Sequence, residues 1–249
     1  MKPNLTSVFL QHLNYLQLAY IKAQYTEVAA DAARQKWDHQ EYLRRLVEGE
    51  FIERRQRSIQ RRIKMARFPV LKTLDEFDWN WPKKINRPQI QNLLRLDFVA
   101  QKANIVFLGT TGLGKTHLAT ALGYAACLEG HSVLFADAIA VVNDLTAAQK
   151  AGQLKQALKK YLNPQLLHLD EIGYLAIDQR GADLLFQVIS QRYERGSIII
   201  TTNKPFKQWP SIFANDTTIA SAVLDRLLHH AETVVIEGRS YRMKDKQVD

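Results

Sequence analysis

The chain has 249 residues, 46% of them hydrophobic and 24% charged, the proportions of an ordinary globular protein with one substantial core and a smaller appendage. No apolar run approaches the roughly 18 residues needed to cross a bilayer, so a membrane-spanning role is excluded. The formal net charge of +9 makes polyanions the expected partners, since neutralising phosphates releases counterions; a basic surface kept for solubility is the plainer alternative.

The opening Met1-Lys2-Pro3-Asn4 leads into mixed polar and apolar sequence rather than a signal peptide's apolar core, which predicts a cytoplasmic address. From residue 5 to about 66 the apolar positions recur every three or four residues, beginning Leu5, Phe9, Leu13, Leu16 and Tyr20, which predicts an all-helical module over 1–67. Asp38 and Glu41 have the spacing of a capping box, and Gly49 is a candidate interruption of the helix they start. At 100° per residue Ile52, Ile59, Ile63 and Ala66 fall on one side and Arg54, Arg57, Arg61 and Lys64 on the other. The cationic side suits a phosphate backbone, with a merely solvated face as the alternative.

Between 68 and 88, Pro69, Pro82 and Pro88 are interleaved with Phe77, Trp79 and Trp81. Such a segment is no single helix and too aromatic for a flexible linker, so it is read as an ordered connector at the start of a second domain, 68–249. Trp79 and Trp81 are expected to pack in its core, although either could wall an adenine.

From Ile105 onward, short apolar runs alternate with helical patterns: Ile105-Val106-Phe107-Leu108, Val133-Leu134-Phe135, Leu166-Leu167-His168-Leu169, Ile198-Ile199-Ile200 and Val234-Val235-Ile236. That alternation predicts an α/β fold with a five-stranded parallel sheet covered on both faces. Directly after the first run comes Gly109-Thr110-Thr111-Gly112-Leu113-Gly114-Lys115-Thr116, a Walker A sequence in its required setting between strand and helix. Its glycines let backbone N–H groups surround phosphates, Lys115 reaches the β- and γ-phosphates, and the Thr116 hydroxyl can bind Mg²⁺. ATP and Mg²⁺ are therefore the expected ligands. Cys127, the only cysteine, lies among alanines in a helical pattern and is read as core.

Asp170-Glu171 ends the third apolar run and resembles a Walker B pair: Asp170 for the Mg²⁺ shell, Glu171 as the base for an attacking water. Asn203, after the fourth run, stands where a sensor-1 amide contacts the γ-phosphate or the water; the alternative is a turn asparagine before Lys204-Pro205. Only 238–249 follow the last run, too few for a helical lid with its sensor-2 arginine, so Arg239 and Arg242 are read as a solvated or DNA-facing tail. Arg226, with Arg192 in reserve, is then the candidate arginine finger, and for either a surface salt bridge is the alternative. His229 and His230 are adjacent, point to different helix faces if the helix continues, and make no metal site on that reading.

These motifs, with Ile172-Gly173-Tyr174-Leu175, Arg192-Tyr193-Glu194, Leu224-Asp225-Arg226-Leu227-Leu228-His229-His230 and Gly238-Arg239-Ser240-Tyr241-Arg242, resemble the IstB family over nearly the whole chain. These are AAA+ helpers encoded beside the transposase of certain insertion sequences. The Walker and sensor motifs are shared with the helicase loader DnaC and the initiator DnaA; the C-terminal run is what points to IstB. The resemblance implies a lidless AAA+ domain, ATP-promoted homo-oligomers on double-stranded DNA, DNA deformation, and recruitment and stimulation of a partner transposase, which is the alternative partner for the cationic helix face. It also implies that a helix bearing Lys150, Lys155, Lys159 and Lys160 between the second and third strands faces nucleic acid, with solubility as the alternative. A helicase loader is the nearest competing function; a small-molecule P-loop kinase and a DNA-binding scaffold that merely retains ATP are the competitors from other classes.

Overall fold

In the computed structural model, which describes residues 5–244, the chain forms two compact units divided between Arg61 and Arg62. Residues 1–4, where the expected address begins, and 245–249, the end of the expected tail, lie outside the described residues. The division falls inside a helix rather than after residue 67.

The first unit holds α1 (Leu5–Tyr15), α2 (Ala19–Gln35) and most of α3 (His39–Ala66). α3 starts where Asp38 Oδ1 accepts the Glu41 N–H at 2.7 Å, one half of the expected capping box; the Glu41 carboxylate itself pairs with Arg44 and Arg45. Gly49 does not interrupt the helix. It lets the α2 side chain Tyr20 close in, since a Cβ at 49 would lie 2.1 Å from that ring. Among the described residues of this unit only Leu13 and Leu46 are fully buried apolar side chains. A buried carboxylate supplements them: Glu50 accepts the Tyr20 and Ile21 N–H groups at the first turn of α2, at 2.8 and 3.2 Å, and the Arg57 guanidinium at 3.3 Å. Ile52, expected on a packing face, is exposed.

The second unit contains α4 (Arg87–Leu93), α5 (Asp97–Ala100), β1 (Asn104–Leu108), α6 (Lys115–Leu128), β2 (Val133–Asp137), α7 (Ala138–Lys150), α8 (Leu154–Leu162) and β3 (Leu166–Ile172). After them come α9 (Gln179–Arg192), β4 (Ser197–Thr202), α10 (Thr217–Leu228) and β5 (Ala231–Val235). The strands form one parallel sheet in the order β2-β3-β4-β1-β5. Strand side chains alternate between two apolar layers. Val106, Leu167, Leu169, Ile198 and Ile200 pack with α7, α9 and α10 on one face. Ile105, Phe107, Leu166, Ile199 and Val234 pack with α6 and α4 on the other. The second layer also takes Phe68, Phe77, Trp79 and Ile85 of the connector, and Cys127, whose thiol burial pushes up to about 11.

Parallel pairing brings the carboxyl ends of β1, β3 and β4 together: Leu108 pairs with Thr202, and Thr202 with Ile172. That edge is where ligands enter open α/β sheets.

Candidate active site

The loop after β1 turns through Gly112 and Gly114, both in left-handed conformation (φ 77° and 82°), so that α6 begins at Lys115 with its amino end toward the cleft. Neither position has room for a side chain. A Cβ on Gly112 would sit 2.0 Å from Ser240 Oγ, and one on Gly114 2.6 Å from the Phe77 ring. Lys115 is buried and donates to its own loop at Thr110 O, 2.7 Å away. Burial lowers its pKa, against the pull of Asp170 and Glu171.

Thr116 Oγ1 lies 3.0 and 3.2 Å from the two Asp170 oxygens, so a hydroxyl and a carboxylate converge as a hard cation requires. Burial alone would raise the Asp170 pKa, but His168, then Thr201 and Thr116, hold it below the usual range. His168 Nε2 stands 3.3 Å from Asp170 Oδ1 without hydrogen-bond alignment, whereas Thr201 Oγ1 donates at 2.6 Å. Thr201 also accepts the Glu171 N–H at 2.9 Å. This hydroxyl bridges the irregularity in the β3–β4 ladder between Leu169 and Ile172 and holds Glu171 at φ 60°, a strained value for a residue with a Cβ. Burial, then the charges of Asp170 and Asp137, raise the Glu171 pKa, as suits a proton acceptor. Asn203 follows β4 with its Oδ1 buried and without a hydrogen-bond partner among the described residues.

A cleft of about 320 Å³ opens beside Lys115, Thr116 and Glu171. It corrects one expectation: Trp81 is not a core residue but lines this cleft beside Pro82 and Tyr241, while Trp79 packs half-buried against the core. Arg239 and Arg242 are both exposed, as expected of a solvated tail, but the segment after β5 folds back over the phosphate loop, with Tyr241 N–H donating to Gly112 O at 2.8 Å, and brings Arg242 to the cleft wall. No motif spacing signals Thr201; Tyr241 and Arg242 stand in the C-terminal run that resembles the IstB family, but nothing in that run assigned them to the cleft.

A family model described as IstB-like ATP binding protein matches residues 11–248. The chain belongs to the IstB-like ATP-binding family. A protein from insertion sequence IS5376 of Geobacillus stearothermophilus, named for ATP binding, is 39% identical over 96% of this chain and 94% of its own length. Its counterpart from IS232 of Bacillus thuringiensis subsp. berliner is 42% identical, over 94% and 93%. Among solved structures, DnaI superposes with a TM-score of 0.58 at 18% identity, covering 70% of this chain and 93% of DnaI. The DnaC helicase loader gives 0.53 at 24%, covering 66% and 96%. These likenesses establish an AAA+ P-loop fold for this IstB-like chain.

The remaining candidates lie elsewhere. Arg226, in the last turn of α10, donates to Ala222 O and lies over the Phe186 ring. α10 leads into the amino end of β5, so Arg226 is at the sheet edge opposite its own phosphate loop. Arg192 is withdrawn as a finger: it is 1% exposed, and its guanidinium donates to the carbonyls of Tyr161, Leu162, Pro164, Gln165 and Ser197 at 2.7–3.3 Å. α10 stops at Leu228, so His229 and His230 do not diverge on helix faces; their rings lie 4.0 Å apart near Glu194, with His229 Nδ1 bonded to Tyr193 OH.

Arg54, Arg57, Arg61 and Lys64 are all exposed, but not all unengaged. Arg54 donates to Gln17 O at 2.9 Å and Arg57 pairs with Glu50. Lys150, Lys155, Lys159 and Lys160 are exposed on α7 and α8, with Lys160 held by Asp144 at 2.9 Å. No described helix is long and apolar enough to cross a membrane.

Proposed function

We propose that this chain is a magnesium-dependent ATPase that assembles as a homo-oligomer on duplex DNA and recruits or stimulates a partner transposase. The observation that carries the reading is the meeting of the phosphate loop, Asp170-Glu171 and Asn203 at one sheet edge, in a chain 38–42% identical to insertion-sequence proteins named for ATP binding.

In this reading residues 109–116 wrap the phosphates, and Lys115 exchanges the Thr110 carbonyl for phosphate oxygens. Thr116 and Asp170 would hold Mg²⁺, which when bound spreads the charge of the phosphates. Glu171 takes a proton from the attacking water, and Asn203 turns its amide to the terminal phosphate or to that water. Arg226 serves the site of a neighbouring subunit, a reading supported by its place on the edge of the sheet opposite its own phosphate loop. Arg57, Arg61, Lys64, Lys155 and Lys159 supply the exposed positive charge for a DNA backbone, with Arg54, Lys150 and Lys160 beside them.

ATP turnover with and without duplex DNA, and strand transfer by the cognate transposase, test the reading together. Turnover should rise with duplex DNA, and strand transfer should require both ATP and this protein. Turnover needing a small phosphoryl acceptor would indicate a kinase, negligible turnover a scaffold, and stimulation of a replicative helicase but no transposase a helicase loader.

A further inference from the structure

We propose that Arg242 contacts the terminal phosphate of the bound nucleotide, delivered by a strap over 237–244 that is fastened to the phosphate loop itself. The inference rests on the cleft holding ATP, and goes beyond that reading by giving the site a second cation from its own chain.

The strap is attached along its length. Glu237 and Lys84 exchange backbone hydrogen bonds at 3.0 and 3.1 Å, and Trp81 Nε1 donates to Arg239 O at 2.8 Å. Ser240 fills the space a side chain on Gly112 would need, and Tyr241 N–H donates to Gly112 O at 2.8 Å. The Trp81 and Tyr241 rings meet edge to face, 5.4 Å between centroids, and Lys244 reaches Asp78 at 3.2 Å. A short 3-10 turn, Tyr241–Met243, then leaves Arg242 on the cleft wall with Lys115, Thr116 and Glu171.

Position along the cleft follows from the neighbours. Tyr241, the residue before it, is bonded to the phosphate loop at Gly112, and Arg242 shares the cleft wall with Lys115 and with Glu171, the residues that the proposed function sets against the γ-phosphate and the attacking water. Two cations facing one cleft repel each other until an anion lies between them, and guanidinium engages phosphate oxygens in pairs. A residue so placed discriminates ATP from ADP, because only ATP carries the group it would touch.

The test is equilibrium binding of Mg-AMPPCP and of Mg-ADP to the full chain, for wild type, Arg242→Ala, Arg242→Lys and the strap control Arg239→Ala. Arg242→Ala should lose about tenfold or more in AMPPCP affinity, as for loss of a charge-assisted hydrogen bond, with ADP affinity within about twofold of wild type. Arg242→Lys should recover part of the loss, and Arg239→Ala, whose backbone carbonyl is retained, should match wild type. Equal losses for the two nucleotides would mean the strap only shapes the cleft, and unchanged AMPPCP affinity would mean Arg242 does not touch it; either overturns the inference while leaving the site assignment intact. Failure of wild type to bind either nucleotide would overturn the site assignment and this inference with it.

Discussion

Lys115 and Glu171 face the same cleft, and the proposed function gives them separable work. Lys115 is a buried cation bonded to a loop carbonyl; Glu171 is a carboxylate with a raised pKa on a strained turn. Lys115→Ala should therefore weaken nucleotide binding, whereas Glu171→Gln should bind normally and hydrolyse slowly, because only the proton acceptor is lost. Binding titrations beside single-turnover rates check this; equal binding losses would reject the division of roles. Arg192 makes a contrasting case. Burial lowers its pKa to about 10, and its guanidinium saturates carbonyls around the end of α8 and the starts of β3 and β4. Arg192→Ala leaves those carbonyls short of donors and should cost about 3 kcal/mol or more of stability, a fall in melting temperature on the order of 10 °C. Arg226→Ala, at a part-exposed helix end, should melt within a few degrees of wild type by calorimetry.

Elements decide what side chains can reach. Because α10 feeds the amino end of β5, Arg226 can serve a phosphate loop only in another subunit. Arg226→Ala and Glu171→Gln should each be nearly inactive alone, since arginine fingers supply about 10³–10⁵ in rate. Mixed, they should regain hydrolysis, because an Arg226→Ala subunit still offers Glu171 to an intact Arg226 next door. A co-assembled mixture no more active than its parts would remove Arg226 from the role. On α3, Arg54 and Arg57 are partly spent on the unit's own fold, which leaves Arg61 and Lys64, with no ion pair among the described residues, as the cleaner probes of DNA contact. Replacing both by Ala should flatten the dependence of log affinity on log salt by about two if each meets a phosphate. An unchanged slope would shift the DNA surface to α7 and α8 or elsewhere.

At the scale of the molecule, the sequence was most legible where function demands a local pattern. The five strands, the phosphate loop and Asp170-Glu171 each carry their chemistry within a few consecutive residues, so period and spacing reveal them. Thr201 was hidden because its importance comes from a strand register: a hydroxyl one strand over bridges the Asp170-Glu171 irregularity. Trp81 was misread, and the place of Arg242 at the cleft missed, because both are far in sequence from the loop they flank; the Lys84–Glu237 bridge, the Trp81 Nε1 bond to Arg239 O and the Lys244–Asp78 pair bring connector and tail together. Gly49 misled for a related reason, since what it accommodates is a ring on another helix rather than a break in its own.

In the proposed function, nucleotide state controls assembly on DNA. Sedimentation of the protein with duplex DNA, in ATP, in ADP and without nucleotide, measures it directly for wild type, Glu171→Gln and Lys115→Ala. Wild type should form large DNA-bound assemblies in ATP that decay as ATP is consumed; Glu171→Gln should hold them, and Lys115→Ala should form none. DNA-bound assemblies of the same size and lifetime in all three conditions, and in Lys115→Ala, would contradict the account.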